Sequence, residues 1–594
     1  MSERSEFDDR SAEETDGKPS GDIATTQDSE AISSETSSPD KATGRKNSKL
    51  GDENPTEDIA KDSEEDTKSV VRSTATMSMA TLLSRITGFA RTWACAFALG
   101  NTLLSSAYQI ANNVPNMLYE LVAGGILTTA FLPVYVSQLK NRGRDGAGSF
   151  ASNLMSIGIV VLGVVALLAT IFAPQVIATQ TFMSGEEDSE LAVYFFRFFA
   201  IQVVFYGVGA IISGLLNAHK SFLWPALGPV FNNLVVIVTM VSYVFIVQSN
   251  PDLAKIVLAV GTSLGVAVMM CVQIPALVKL KIPLRFHINL HDPALKETLR
   301  LALPATIFVV VNLIVVSVRN AFSLGVADNG PSTLSYAWLW YQFPYGVLAV
   351  ALSTAMLTEM SGAAAVKDWP TYRRNVRSGL SGTIFLILPL AALMFCLSDP
   401  LVALYHAGQF TAQDVQEVSL ILKYWCLSLP FYSGYMYLYR SFSAMQDLGL
   451  VTWIDAGGRI VQAILYSVLT MGIGDFAGFG LAGIPISDFL FYFVAFFVLC
   501  FIMRKKVGAY GLSQVFSTGI RSLAASAVSA AAVWFLYDAF GSSSSILTAL
   551  LTIIVLGIVG LVIFYVMSKL MRVKETALID RGLKKLVGRA GKKN

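Results

Sequence analysis

The sequence predicts an all-α polytopic membrane protein of about 14 transmembrane helices. The helices form two six-helix lobes in a parallel pseudo-repeat, with two extra C-terminal helices. Three observations carry this reading. Apolar residues come in blocks at 77–99, 103–138, 148–173, 192–217, 224–248, 254–278, 299–325, 332–362, 378–397, 416–440, 449–473, 478–503, 515–538 and 545–570. Each is near the roughly 20 residues that cross about 30 Å of hydrocarbon. Hydrophobic residues make up 54% of the chain, charged residues only 14%, and mean hydropathy is +0.56. A soluble chain carries about 25% charge. The third observation is an internal repeat.

Along the chain, residues 1–70 are rich in Ser, Thr, Asp and Glu, the composition of a disordered, solvated tail. They hold no apolar core segment, so they are not a cleaved signal peptide. A regulatory or docking tail is the other reading. Residues 71–290 are expected to form the first lobe, 291–507 the second, and 508–571 the added helix pair. Residues 572–594 are a basic tail that either touches anionic lipid heads or acts as a stop signal.

Loop charges alternate. Lys140, Arg142 and Arg144, then Lys220, then Lys279, Lys281 and Arg285, then Lys367, Arg373 and Arg374, then Arg504, Lys505 and Lys506 follow the even-numbered spans. Glu186, Glu187, Asp188 and Glu190, Asp328, Asp399 and Asp475 follow odd ones. Positive-inside bias puts the basic set, and both termini, in the cytoplasm of a multi-pass plasma-membrane protein.

The repeat has an offset near 227 residues. Arg91 precedes Ala107-Tyr108 as Arg319 precedes Ser335-Tyr336. Pro115 matches Pro344, Leu127-Thr128-Thr129-Ala130 matches Leu352-Ser353-Thr354-Ala355, and Asn217 to Lys220 lie opposite Ser443 to Gln446. Six spans separate the copies, so both run the same way through the membrane, and substrate is expected between them.

The first span holds Arg85 and Arg91. An intramembrane charge costs about 2.5–3.5 kcal/mol even on the lenient insertion scale, so neither is expected to face lipid. At 100° per residue, Thr81, Ser84, Arg85, Gly88, Arg91, Thr92 and Cys95 share a stripe about 120° wide. That stripe reads as the wall of a cavity for an anion. The repeat places Arg319 at the depth of Arg91 on the facing lobe. Glu120 sits in a span broken by Pro115 and Gly124-Gly125. It either pairs with Arg85 or Arg91 or binds a coupling cation, or it is a structural ion pair. Asn112 and Asn116 lie in the same span. The candidate substrate-binding set is Ser84, Arg85, Arg91, Asn112, Asn116, Glu120 and Arg319.

Other features read as structural. Cys95, Cys271, Cys396, Cys426 and Cys500 all lie in apolar segments and read as small buried hydrophobes. The four histidines are scattered, no metal cluster is expected, and there is no P-loop. Arg197, Glu359, Arg440, Asp447, Asp455, Arg459 and Asp488 lie near span ends or within snorkelling reach. Asp455 and Arg459 are spaced for a helix-face ion pair. The aromatics of YAWLWYQFPY read first as an interfacial belt, and otherwise as cavity wall.

Several segments resemble one family. LSRITGFAR (83–91) followed by ANNVPNMLYELVAGGILTTAFLPV (111–134) is similar to the N-terminal signature of the MurJ/MviN family. The resemblance continues through LNAHKSFLWPALGPVFNN (216–233), FPYGVLAVALSTAMLTEMS (343–361), LVALYHAGQFTAQDV (401–415) and SAMQDLGLV (443–451), and covers roughly residues 75–570. It implies a lipid II flippase of the multidrug/oligosaccharidyl-lipid/polysaccharide exporter superfamily, with 14 helices, two lobes and a central cationic cavity. Ser84, Arg85 and Arg91 match positions where that family carries functional residues. The chain departs from the pattern at Ser106, Tyr119, Glu120, Gly124 and Leu339, in a form that resembles actinobacterial members.

The implied substrate is an undecaprenyl-pyrophosphate-linked peptidoglycan precursor, and no enzyme activity or cofactor is expected. The membrane potential and a monovalent cation are the candidate driving forces. Arginine forks suit phosphate oxygens, so Arg85, Arg91 and Arg319 are expected to clamp the pyrophosphate while the lobes rock. Cell-wall synthesis machinery is a candidate partner, and the alternatives are a flippase for another polyprenyl-linked glycan, a cation-coupled drug antiporter, and a non-transporting scaffold that recruits partners through its acidic tail.

Overall fold

The computed structural model describes residues 79–120, 131–540 and 545–581. The acidic tail, residues 582–594 of the basic tail and Gly124 lie outside the described residues, as do the side chains of Tyr119 and Glu120. No strand occurs among the described residues; one β-bridge joins Ile473 and Phe476.

Helices of the first half are α1 (79–99), α2 (Leu103–Glu120), α3 (Leu132–Ile171), α4 (Ala173–Thr181), α5 (Glu186–Phe199), α6 (Gln202–Ala218), α7 (Leu223–Ile246), α8 (Pro251–Cys271) and α9 (Ile274–Lys279). The second half has α10 (Pro293–Val326), α11 (Gly330–Pro344), a π-turn at Tyr345–Ala349, α12 (Val350–Ala365), α13 (Trp369–Cys396), α14 (Ser398–Ala403), α15 (Ala412–Ala444), α16 (Gly449–Met471) and α17 (Gly483–Val507). Then come α18 (Leu512–Phe540) and α19 (Ile546–Leu570). Side chains at the boundaries start these helices. Asn250, Asp292, Asp368 and Ser545 each cap a free N–H, and Thr411 forms a capping box with Asp414.

Eight helical stretches among the described residues are long and apolar enough to cross a membrane, or up to nine if α5 and α6, bent by 44°, form one span. The blocks at α1, α2, α10, α15 and α16 also fold as helices, but the described residues fall short of that test. For α15 and α16 composition gives the reason: α15 buries Asp414, Ser419 and Ser428, and α16 buries Asp455 and Gln462. A helix that turns polar groups inward is less apolar overall. At about 1.5 Å per residue α15 and α16 are still long enough to span. Lipid-facing helices show the opposite: Ile159, Val161 and Val164 of α3 and Ile554, Ile558 and Val562 of α19 are exposed.

The blocks at 103–138 and 148–173 stay separate, because α2 fills most of the first and α3 is two helical pieces that meet at a kink at Gly143 (φ 67°). One expectation is corrected. The aromatics of the α11 segment are not an interfacial belt: Tyr336 and Tyr341 are fully buried, and Trp338 packs on Trp425 at 5.3 Å. Cysteines differ as well. Cys95, Cys426 and Cys500 are buried, whereas Cys271 is exposed.

Helix ends recur along the chain. Left-handed residues occur at Gly143 and Lys367, at Lys220 and Gln446 (φ 59° and 56°), and at Lys281 and Gly508 (φ 50° and 83°). The last two pairs keep the offset near 227 residues.

Candidate functional site

A cavity of about 880 Å³ opens among α10, α11, α15, α16 and α17, and Asn113, Asn116 and Met117 of α2 close it from the first half. Its volume lies in the roughly 300–1,000 Å³ range of small-molecule sites. The wall is aromatic, with Trp338, Tyr432, Tyr435, Tyr439, Tyr466 and Tyr492, and carries four charges: Arg319, Asp455, Arg459 and Asp488.

Arg319 is the least satisfied of the four. Its guanidinium carbon stands 5.5 Å from the Trp338 ring centroid, and its Nε is buried without a hydrogen-bond partner. Stacking on Trp supplies cation–π attraction but leaves the guanidinium donors free for an anion.

The other three charges belong to one network. Asp488, 4% exposed, accepts hydrogen bonds from Trp425 Nε1 (2.7 Å), Gln462 Nε2 (2.6 Å) and the Tyr466 hydroxyl. Arg459 donates to Gln462 Oε1 (2.9 Å), lies 3.5 Å from Asp455, and stacks over Phe491 at 4.5 Å. The Tyr435 hydroxyl donates to Asp455 Oδ1, while Asp455 Oδ2 is buried and unpartnered. These four charges sum to zero, so this cavity is amphoteric rather than purely cationic.

The predicted residues divide. Arg319 and Asn116 line the cavity. Asn116 receives the Tyr206 hydroxyl on Oδ1 (2.7 Å) and donates to the Asn112 carbonyl (2.8 Å), so Asn112 contributes through its backbone. Arg85 and Arg91 do not line it. The stripe on α1 packs partly on α7 instead: Asn233 donates to the Ser84 carbonyl (3.4 Å) and the Thr87 hydroxyl (3.1 Å). Arg85 is exposed and reaches across to the π-turn, where a Cβ on Gly346 would stand 3.8 Å from its guanidinium carbon. Arg91 is half-buried. Sequence reasoning placed Asp455, Arg459 and Asp488 at span ends; they line the cavity wall. The signal was present, because Asp455, Arg459, Gln462 and Tyr466 follow one another at i, i+4, i+7 and i+11 on one face of α16.

One end of the cavity region is sealed between the halves. Asn101 Nδ2 donates to Thr333 Oγ1 (2.8 Å), and Asn101 Oδ1 accepts from Ser332 Oγ (2.6 Å). Ser106 bonds the Ser332 hydroxyl and accepts the Ser332 N–H, both at 3.3 Å, so this departure from the family pattern serves the first turn of α11. Tyr336 donates to the Gly100 carbonyl (2.9 Å) and pairs with Ser105 (2.9 Å). Beside these, the Gln409 N–H donates to the Phe97 carbonyl (3.0 Å) and Trp93 Nε1 to the Leu404 carbonyl (3.0 Å). Gly100 and Gly408 (both φ 63°) make this approach possible: a Cβ at Gly100 would lie 2.6 Å from the Gln409 carbonyl oxygen, and one at Gly408 2.3 Å from that of Phe97.

The model of the family described as lipid II flippase MurJ matches residues 95–573. The chain belongs to the lipid II flippase MurJ family. The lipid II flippase MurJ of Burkholderia cenocepacia is 29% identical over 411 residues, covering 68% of this chain and 79% of that protein. The probable lipid II flippase MurJ of Synechocystis is 25% identical over 527 residues, covering 86% and 96%. Among solved structures, a lipid II flippase MurJ in an inward closed conformation has a TM-score of 0.69 at 22% identity, covering 83% of this chain and 98% of that one. An inward-facing multidrug transporter of the MATE family in the MOP superfamily has a TM-score of 0.62 at 16% identity, covering 73% and 94%. These two likenesses establish the fold, whose described residues hold no strand, and membership of the family makes the chain a multi-pass membrane protein.

Proposed function

We propose that this chain carries lipid II from the inner to the outer leaflet by alternating access, with Arg319 as the central contact for the pyrophosphate. The observation that carries the site is the guanidinium of Arg319, stacked on Trp338 at 5.5 Å with a buried Nε that no protein group satisfies. Charge attraction is stronger in a cavity shielded from water, and arginine's fork suits phosphate oxygens. Arg85, which reaches from α1 to the π-turn of the second half, and Arg91, deeper on α1, are entry contacts that join Arg319 as the halves move. Ser84, Asn112, Asn116 and Glu120 complete the path.

The proposed architecture has 14 spans, with α1–α9 and α10–α17 as two six-span lobes and α18–α19 as an added pair. The recurrent left-handed helix ends support it. Both termini are cytoplasmic on this reading, so the Asn101–Ser332–Thr333 cluster is the outer seal. Its bonds are uncharged, which lets water replace them at small net cost, since a typical intramolecular hydrogen bond contributes only about 0.5–1.5 kcal/mol. The membrane potential or a monovalent cation resets the cycle. Peptidoglycan synthases on the outer face would consume the exported precursor.

The test uses a strain depleted of its own lipid II flippase. Wild type restores growth, while Arg319→Gln and Arg85→Ala reach the membrane but do not. Growth with both variants would remove the arginine site. Failure of well-expressed wild type would favour another polyprenyl-linked glycan.

A further inference from the structure

The segment joining the two halves is an extended ribbon laid against α3. Ser152 Oγ accepts the Arg285 N–H (3.0 Å), Ser156 Oγ accepts the His287 N–H (3.0 Å), and Asn153 Oδ1 accepts the Asn289 N–H (2.6 Å). In return Asn153 Nδ2 donates to the Asn289 carbonyl (2.8 Å) and Ser152 Oγ to that of Pro283 (3.3 Å). Gly148 allows the ribbon to close on the helix, because a Cβ there would stand 2.8 Å from the Pro283 ring. Three buried polar side chains of α3 thus act as a sheet edge for alternate residues of the linker.

This pairing fixes where the other side chains go. In an extended chain, side chains alternate between two faces, perpendicular to the bonded edge. Lys281, Arg285, His287 and Asn289 form the polar face. Phe286, Ile288 and Leu290 form the opposite one, and they are 72%, 45% and 64% exposed. Depth is also fixed. The lipid-facing stripe of α3 begins at Ile159, three residues beyond Ser156, which is about 4.5 Å along the helix. The apolar face of the ribbon therefore lies at the edge of the hydrocarbon, with exposed Lys279, Lys281 and Arg285 beside it.

We propose that residues 285–290, beyond Ile282 and Leu284 that pack on the core of the first half, are a membrane-interface anchor: Phe286, Ile288 and Leu290 enter the acyl boundary of the inner leaflet while Lys279, Lys281 and Arg285 hold anionic phospholipid headgroups. A basic segment with an apolar face has the composition that binds such interfaces. Being strapped to α3, the anchor ties the first half to the bilayer plane, so that the second half moves relative to it.

The test uses full-length chain in phosphatidylglycerol-containing proteoliposomes, in a Cys271→Ser, Cys396→Ser background whose remaining cysteines are buried. Arg285→Cys, Phe286→Cys, His287→Cys, Ile288→Cys, Asn289→Cys and Leu290→Cys are spin-labelled one at a time. Collision with oxygen, which partitions into lipid, is compared with collision with a water-soluble nickel chelate. Oxygen should dominate at 286, 288 and 290 and nickel at 285, 287 and 289. Nickel dominance at all six, or labels at 286–290 shielded from both reagents by a second copy of the chain, would overturn the anchor. The unlabelled chain provides a second readout. Phospholipid with a photoreactive group near its ester carbonyl should cross-link to residues 286–290, and absence of that adduct would also overturn it. Replacing phosphatidylglycerol with phosphatidylcholine should lower the yield several-fold; an equal yield would overturn the anionic assignment.

Discussion

Arg319 and Asp488 are charged groups on one cavity wall with opposite roles. Asp488 is saturated by Trp425, Gln462 and Tyr466, so its work is structural. Asp488→Ala leaves these donors without their acceptor, at about 1–3 kcal/mol for each group left unsatisfied. Thermal unfolding of the purified protein should show a clearly lowered midpoint. Arg319 has donors to spare, so Arg319→Gln should leave that midpoint nearly unchanged and weaken lipid II binding. Loss of a hydrogen bond to a charged group, about 1.5–3 kcal/mol, corresponds to roughly 10- to 100-fold in affinity. Arg319→Lys keeps the charge but not the planar fork or its stacking, and should recover only part of the binding. Equal unfolding losses in Arg319→Gln and Asp488→Ala would make Arg319 structural too.

The loops at 97–102 and 404–411 bring the halves into backbone contact, and they form part of the seal. Gly408→Ala meets two obstacles, a left-handed backbone that costs about 1–2 kcal/mol for an L-residue and the Phe97 carbonyl at 2.3 Å. Spin labels on the two loops should report a longer and broader separation in that variant than in wild type; an unchanged separation would remove the seal from the account. The elements also show what the sequence made legible. Long apolar blocks and alternating basic loops were enough for an all-helical membrane protein, and Arg319 stood out through its repeat partner Arg91. The cavity wall was harder to read because its charges are neutralised locally. Asp455 next to Arg459 looks the same in sequence whether the pair faces water, lipid or a cavity. The α11 aromatics misled for a related reason: tyrosine and tryptophan suit an interface and a packed wall equally, and only packing of Trp338 on Trp425 decides. The α1 stripe was read as cavity wall, whereas Asn233 of α7 lies against it at the Ser84 carbonyl and Gly88.

At the scale of the whole molecule, the account describes two halves joined by hydrogen bonds at one end, with an aromatic, charge-balanced cavity set mostly in the second half. Transport requires that this end open. The most direct test locks it. Asn101→Cys with Thr333→Cys, at positions whose side chains hydrogen-bond at 2.8 Å, is expressed in a Cys271→Ser background in cells depleted of their own flippase. Lipid II on the outer leaflet is then measured with the new pair oxidised and reduced. The account predicts little outer-leaflet lipid II while the disulfide holds and recovery to the reduced level on adding reductant. Undiminished exposure with the disulfide fully formed would contradict it, because the substrate would then cross without the seal opening.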